Sequence, residues 1–481
     1  MKGYFIKVMM EMAQACVIVC VTMLVFFFIS GYTALPVFAE SLASAEEVRS
    51  SDMKPDLPQK TLIRLGLDET VTRALATNEG LKIKDSEVAK ARQVYNEVRS
   101  GLLPHITAQS VWTNNRDYPS SDSTKTEYAF SGGIAVSQLL WSFGKVSSAV
   151  SSAKRAAEAS WYSREAGKND IVYAAKLNYY SVLLARDSLS IAEESYNNAQ
   201  ENKKLLEKRS NGGRSSKFEI LKMSADVASR VPTVNEVRAQ YEAALETLRS
   251  LIEAQPFEEF EFSDGFKPDY DELDYEVLEK ALFLHEPSLK SLDKIFEASQ
   301  AAVNNRRAGF LPTLSAFASL DKIGGSDQDT LPSNSNLDKY SAVGLKISVP
   351  LWEGGQKEAL LGQAISERTA AQLKKEQARK ALVLELKKAY VEYRQYKNNL
   401  IANIEAVRLA GESFKQMQEM FTSGQVTLTD LNDAELLLTN QRLNKEMTLF
   451  NINITLAKIE KLIAGEYDGR KAGKTDKKLY P

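Results

Sequence analysis

The chain carries one pattern twice, at a spacing far longer than that of ordinary repeat proteins. Gly101-Leu102-Leu103-Pro104 returns as Gly309-Phe310-Leu311-Pro312, and Gln138-Leu139-Leu140-Trp141-Ser142-Phe143-Gly144-Lys145 returns as Val349-Pro350-Leu351-Trp352-Glu353-Gly354-Gly355-Gln356. In each copy the glycine after the tryptophan, Gly144 or Gly355, is followed 69 residues later by another, Gly213 or Gly424, with no proline between them. A stretch that long without proline permits one unbroken helix. The chain is therefore constrained to two equal rods of some 65 residues, each roughly 100 Å long. Each copy reads helix, strand pair, long helix, returning helix.

The N-terminus begins with Lys2 and Lys7, continues through an apolar run from Ala15 to Ile29, and reaches Val37-Phe38-Ala39 before Glu40. That order is expected of a secretory signal over residues 1–39. Both cysteines, Cys16 and Cys20, fall inside it, so the exported chain is held by packing and not by disulfides. Without Lys2, Lys7 and Glu11, 59 basic and 62 acidic residues remain, a formal charge of about −3. That balance argues against a nucleic-acid partner. No later stretch has the 18 or more apolar residues of a spanning helix, so a second membrane contact must use strands.

Residues 40–66 are rich in Ser, Glu, Lys and Pro and read as a flexible leading segment. The first repeat covers 67–255. It opens with apolar residues at helical spacing, from Val71 and Leu75 to Tyr95 and Val98, and this helix stops at Gly101 and Pro104. The period then changes to two. Tyr128, Phe130, Ile134 and Val136 alternate with Ala129, Ser131, Gly133, Ala135 and Ser137, and Val343, Leu345, Ile347 and Val349 alternate with Gly344, Lys346 and Ser348. One large apolar face and one small or polar face suit a strand between lipid and a water-filled lumen. The segments 117–126 and 324–338 read as turn-rich loops, with Gly324-Gly325 as turn glycines. A sandwich would need a second sheet, which four strands do not supply, and a lone four-stranded sheet leaves open edges that lipid does not tolerate. Sister copies must close it. Two copies give eight strands, a barrel filled by its own side chains, whereas three give twelve around an open lumen, as the small inward residues favour.

In the second rod Leu386, Tyr393, Leu400, Val407, Phe414 and Phe421 recur at sevens, and the first echoes them with Ala175, Val182, Leu189 and Tyr196. Such a repeat supercoils with a neighbouring helix. The returning helices run from Ser216 to about Glu253 and from Thr427 to about Ile463, and Pro232 should kink or interrupt the first. Residues 256–272 link the copies in an equatorial region, 273–465 form the second repeat, and 466–481 form a polar tail.

The tip turns carry the candidate functional residues. One contains Ser210, Asn211, Gly212, Gly213 and Arg214, the other Phe421, Thr422, Ser423, Gly424 and Gln425. Ser216-x-x-Glu219 and Thr427-x-x-Asp430 have capping-box spacing, so helix capping is the plain role of Glu219 and Asp430. Asp433 is not explained by capping. Asp430 and Asp433 share a helical face, and three copies around an axis would stack two rings of three carboxylates that attract cations and repel one another. An exposed acidic patch is the alternative.

The ordered set, with Leu-Trp-x-x-Gly junctions at Trp141 and Trp352, paired tip motifs and Gly424-x-x-x-x-x-Asp430-x-x-Asp433, resembles the TolC family of outer-membrane efflux and secretion channels from about Leu67 to Gly465. The resemblance implies a mainly helical α+β fold whose duplicated hairpins build a trimeric periplasmic α-barrel, with four strands per chain in a shared 12-stranded outer-membrane β-barrel. It implies a homotrimer in outer-membrane lipid, serving an inner-membrane transporter and a periplasmic adaptor that docks at the tip turns. Asp430, Asp433 and Glu219 match acidic positions at the family's periplasmic constriction. Phe421 stands where relevant members have a tyrosine and Val426 where they have an arginine, which points to apolar packing around Phe421 in place of a polar latch.

No nucleophile constellation or phosphate loop supports an enzyme, and no cofactor is implied. His105 and His285 lie in different elements with no cysteine nearby, so a metal site is not expected. The function read is a passive export conduit. The alternative is a secreted or periplasmic coiled-coil structural or adhesive protein without a pore. A periplasmic adaptor normally carries a single hairpin between small β-domains, unlike the two hairpin sets here.

Overall fold

The computed structural model describes residues 61–116, 126–211, 216–266, 270–326 and 337–465. The expected signal over 1–39, the tail over 466–481 and most of the leading segment lie outside the described residues.

The first repeat consists of α1 (Leu67–Thr77), α2 (Glu79–Ser100), β2 (His105–Arg116), β3 (Thr126–Trp141), α3 (Lys145–Asn211) and α4 (Lys217–Leu251). The second consists of α5 (Tyr275–His285), α6 (Pro287–Ala308), β5 (Thr313–Ser326), β6 (Asp338–Ser348), α7 (Gln356–Ser423) and α8 (Leu428–Ile463). The rods α3 and α7 contain 67 and 68 residues, and the returning helices 35 and 36. Each returning helix thus covers half a rod. α3 is the central element: it packs against α2 and α6 over its sheet-side half and against α4 and α8 over the rest.

Several expectations change. The first helix is two, because Asn78 leaves the helical conformation (ψ 116°) and its side chain accepts the Leu81 N–H at 3.1 Å, starting α2 afresh. Residues 61–65 are not a flexible lead but β1 (Thr61–Leu65), paired in parallel with β4 (Glu258–Phe262) from the linker between repeats. Pro232 does not interrupt α4, which runs continuously past it. Gly324 and Gly325 are not turn residues but extend β5, where they oppose Phe130 and Ala129. A residue without a side chain is well suited to a place opposite the Phe130 ring.

The heptad stripe does what its spacing requires: Leu386, Tyr393, Leu400 and Phe421 are buried along α7, as are Ala175 and Val182 along α3. Three apolar clusters result. One joins Leu386 and Tyr393 to Leu278 and Leu282 of α5 and Ile452 of α8. A second joins Ala175 and Val182 to Leu65, Leu248 and Ile252. The third lies at the far end of the hairpins.

The four long strands form one antiparallel sheet in the order β2-β3-β5-β6. Its register assigns the two faces. Ile106 opposes Val136, Ala108 opposes Ile134, Trp112 opposes Phe130, and Ile134 in turn opposes Leu320. Val343, Leu345 and Ile347 join that same apolar face through Ala318, Ala316 and Leu314. The other face carries Thr107, Gln109, Ser131, Gly133, Ser137, Ser315, Ser319, Asp321 and Lys346, interrupted by Val111, Phe317, Ile323 and Tyr340. A bulge between Leu139 and Trp141 shifts the parity by one, so Trp141 opposes Leu314 and turns to the apolar face. Among the described residues, the outer edges of β2 and β6 have no partner strand.

Candidate functional site: the hairpin tip

α7 ends because Gly424 adopts φ 83°, a left-handed conformation that costs glycine little. The Gln425 N–H then donates to the Met420 carbonyl at 2.9 Å, closing a Schellman turn. Thr427 restarts the chain as α8: its hydroxyl accepts the Asp430 N–H at 3.3 Å, while the Asp430 carboxylate accepts the Thr427 N–H at 2.9 Å. The first hairpin repeats the device, with the Ser216 N–H donating to Glu219 at 2.9 Å and the Glu219 N–H donating to Ser216 Oγ at 3.2 Å. Capping is therefore a role that Glu219 and Asp430 perform within one chain. The Thr427 hydroxyl, and after it the Thr427 backbone N–H, holds the Asp430 carboxyl below its ordinary value.

Asp433 takes no part in the cap. It is exposed, as is Asp430, and both lie opposite the buried stripe of Leu431, Ala434, Glu435 and Leu438. Thr422, Ser423, Gly424 and Gln425 are exposed at the turn. Of the first tip, Ser210 and Asn211 end α3, and Gly212, Gly213 and Arg214 lie outside the described residues.

Phe421 does not point out of the tip. It is 3% exposed and packs with Ala199 and Leu206 of α3, Met223 of α4 and Leu428 and Leu431 of α8. Arg209 stacks 5.0 Å from the centre of its ring and donates to the Phe421 and Thr422 carbonyls, so a cation of the first hairpin caps the C-terminus of the second rod. Lys222 adds a hydrogen bond to Thr429 at 2.9 Å.

Sequence reasoning missed a polar network just inside this tip. Glu435 of α8 is 1% exposed. Arg230 of α4 meets it with both terminal nitrogens, at 2.7 and 3.0 Å. Arg230 also reaches Asp226 at 3.0 Å and the Ser195 hydroxyl and carbonyl of α3 at 2.7 and 2.9 Å. Burial works against the Arg230 charge, but Glu435 and Asp226 outweigh it and raise its basicity. A signal existed: Leu428, Leu431, Glu435 and Leu438 follow one apolar 3–4 stripe, and a carboxylate on such a stripe needs a partner.

At the opposite end of the rods, the sheet presents its apolar face bordered by aromatic residues. Trp112 and Phe130 touch at 4.5 Å between ring centres near the loop end. Trp141 meets Phe143 at 6.0 Å near the helices, and Trp352 there is 84% exposed. Phe130 and Trp141 are eleven positions apart, about 36 Å along a strand, or about 25 Å in height at a tilt of about 45°. That height is the apolar band of an outer-membrane strand.

The sequence profile of the outer membrane efflux protein family matches residues 70–253 and 278–465. The chain belongs to that family, the TolC-type channels of the outer membrane. It is 25% identical over 305 residues to the pyoverdine export outer membrane protein OpmQ of Pseudomonas aeruginosa, covering 61% of this chain and 62% of that one. With the cation efflux system protein CusC of Escherichia coli it shares 21% identity over 60% of this chain and 63% of CusC. The chain thus spans just over three-fifths of the length of these curated relatives. In three dimensions it superposes on a crystal structure of CusC with a TM-score of 0.72 at 18% identity, covering 83% of this chain and 92% of the other. The Campylobacter jejuni CmeC outer membrane channel gives 0.69 at 18% identity, covering 91% and 95%.

Proposed function

We propose that three copies of this chain form a passive export conduit, with twelve strands closing a barrel in outer-membrane lipid and six helical rods, with twelve half-length helices packed along them, enclosing a tunnel beneath it. The observation that carries this reading is the four-stranded sheet with one aromatic-bordered apolar face, one mostly small or polar face and, among the described residues, two unpartnered edges. Such edges are stable in lipid only when paired. The face with Ser131, Gly133, Ala135 and Ser137 would line the lumen.

The tip turns at 210–214 and 422–425 are the docking site for a periplasmic adaptor, which joins the conduit to an inner-membrane transporter. The transporter selects the cargo and supplies the energy. OpmQ and CusC carry names of pyoverdine export and cation efflux, and an export role of that kind is proposed for this chain. Asp430 and Asp433, repeated threefold, form the constriction, with Glu219 beside it and Phe421 providing the apolar cohesion of the closed tip. Opening slides or untwists the helix pairs.

Conductance across planar bilayers tests this reading. The purified protein should form cation-preferring pores, and the D430A/D433A variant should lose much of that preference. Pores whose conductance and selectivity are unchanged by the double substitution would remove the carboxylate constriction, and absence of any pore would remove the conduit.

A further inference from the structure

The apolar face of the sheet is not apolar over its whole height. Lys322 of β5 and Lys339 of β6 stand directly opposite one another, and the register puts both on the face of Leu320, Val343 and Leu345. The acids next to them in sequence, Asp321 and Asp338, oppose Tyr340 and Ile323 and so belong to the other face. Among the described residues the apolar face carries no Asp or Glu. Its charge is therefore positive and confined to one level. Two like charges directly opposed across a sheet repel, and an anion placed between them reverses the sign of that interaction.

Lys322 lies eight positions along β5 from Leu314, which opposes Trp141. It therefore stands about 26 Å along the strand, or about 19 Å in height, from the aromatic residues near the helices. The level of Phe130 is two positions farther on, at Gly324. Lysine stems lie along apolar surface and carry their ammonium groups to the edge of an apolar band, here the edge at the strand loops. Beside the pair, Lys322 opposes Gly132, and a Cβ at Gly132 would lie 2.6 Å from the Phe130 ring. That ring thus lies along β3 over Gly132, with Trp112 packed on it. Across the sheet, the rim presents two aromatic rings and then two ammonium groups.

We infer that Lys322 and Lys339, flanked by Phe130 and Trp112, bind the phosphate-bearing head of an outer-leaflet lipid. The inference rests on the conduit reading, which sets the strand loops on the outer side, and deepens it by naming the lipid chemistry that the wall takes. A phosphate between the two ammonium groups accepts a charge-assisted hydrogen bond from each, and near a membrane surface each lysine adds to the attraction for anionic lipid. Aromatic rings sit at headgroup level, so Phe130 and Trp112 pack against the carbon atoms beside that phosphate. A free anion would meet the ammonium groups alone, whereas a lipid meets both halves of the site.

The test uses the full protein in detergent, with binding of diphosphoryl lipid A read by native mass spectrometry. K322Q/K339Q should weaken binding about thirtyfold, and K322R/K339R should bind as the wild type does. K387Q/K388Q removes the same charge from an exposed stretch of α7 and should change nothing. Lipid A stripped of its phosphates should bind the wild type about as weakly as diphosphoryl lipid A binds K322Q/K339Q, and inorganic phosphate should not displace the bound lipid. Undiminished binding by K322Q/K339Q, or of the dephosphorylated lipid, would overturn the inference, and displacement by inorganic phosphate would overturn the assignment to lipid. Pore formation by the same preparation in planar bilayers separates the two readings. A protein without pores fails the conduit reading, whereas a pore-forming protein whose lipid affinity ignores the two lysines fails this inference alone.

Discussion

Replacement of Phe421 by alanine tests the cohesion of the tip most sharply. The side chain is buried among Leu206, Met223, Leu428 and Leu431, which come from three other helices, and Arg209 covers its ring. Truncating a buried phenylalanine costs about 3–5 kcal/mol, and the cation–π contact adds about 0.5–1 kcal/mol. States in which the hairpins have separated at the tip have already lost these contacts, so the cost falls on the closed arrangement. At 1.4 kcal/mol per tenfold, the separated population should rise by a factor on the order of 10² to 10⁴. The assay is resting conductance in planar bilayers, paired with L386A, which opens a cavity of similar cost in the cluster around α5, far from the tip. F421A should leak and L386A should not. Equal, low resting conductance in both would refute the reading that packing around Phe421 holds the tip together.

P232A should stabilise α4 by about 1–3 kcal/mol, because proline in a helix interior lacks a donor and this one is exposed; a lower thermal midpoint by circular dichroism would contradict this. At Gly133 a Cβ would lie 2.7 Å from the Leu320 carbonyl oxygen, so G133V should displace β3 from β5 and abolish assembly, read as loss of the oligomer band on unheated gels. Asp430 titrates below its ordinary value because of Thr427. A carboxyl depressed on folding contributes stability and charge that are complete above its unfolded value and lost as pH falls through the folded one. In a D433N background, cation preference should therefore persist down to a pH of about 4, and T427A should move its loss upward; an identical pH profile in both would remove the capping explanation.

What the sequence disclosed and withheld follows from the range of each interaction. The rods could be bounded to within about two residues because their ends are written locally, in Gly144, Gly355 and Gly424 and in the capping residues Ser216 and Thr427. The alternation of strands was equally local, and the register of the sheet sorts the same residues onto two faces. By contrast β1 pairs with β4 across nearly two hundred residues, with Thr61 opposite Glu258, and five residues carry too short a pattern to stand out from a polar lead. The break at Asn78 was legible in principle, since asparagine before an acidic residue is an N-cap signal, but the apolar spacing runs through it. Pro232 weighed too heavily, because packing on α3 outweighs a local defect. Arg230 and Glu435 are 205 positions apart, and only the three-dimensional adjacency of the hairpins identifies them as partners. The cap roles of Glu219 and Asp430 were legible for the opposite reason, being closed within four residues.

The claim on which everything else stands is that one chain is an incomplete wall. The mass of the full protein, extracted in detergent and measured by light scattering with the detergent contribution subtracted, tests it directly. Three chain masses in a particle that loses solubility when detergent is withdrawn is the expected result. A monodisperse species of one chain mass that stays soluble without detergent would contradict it.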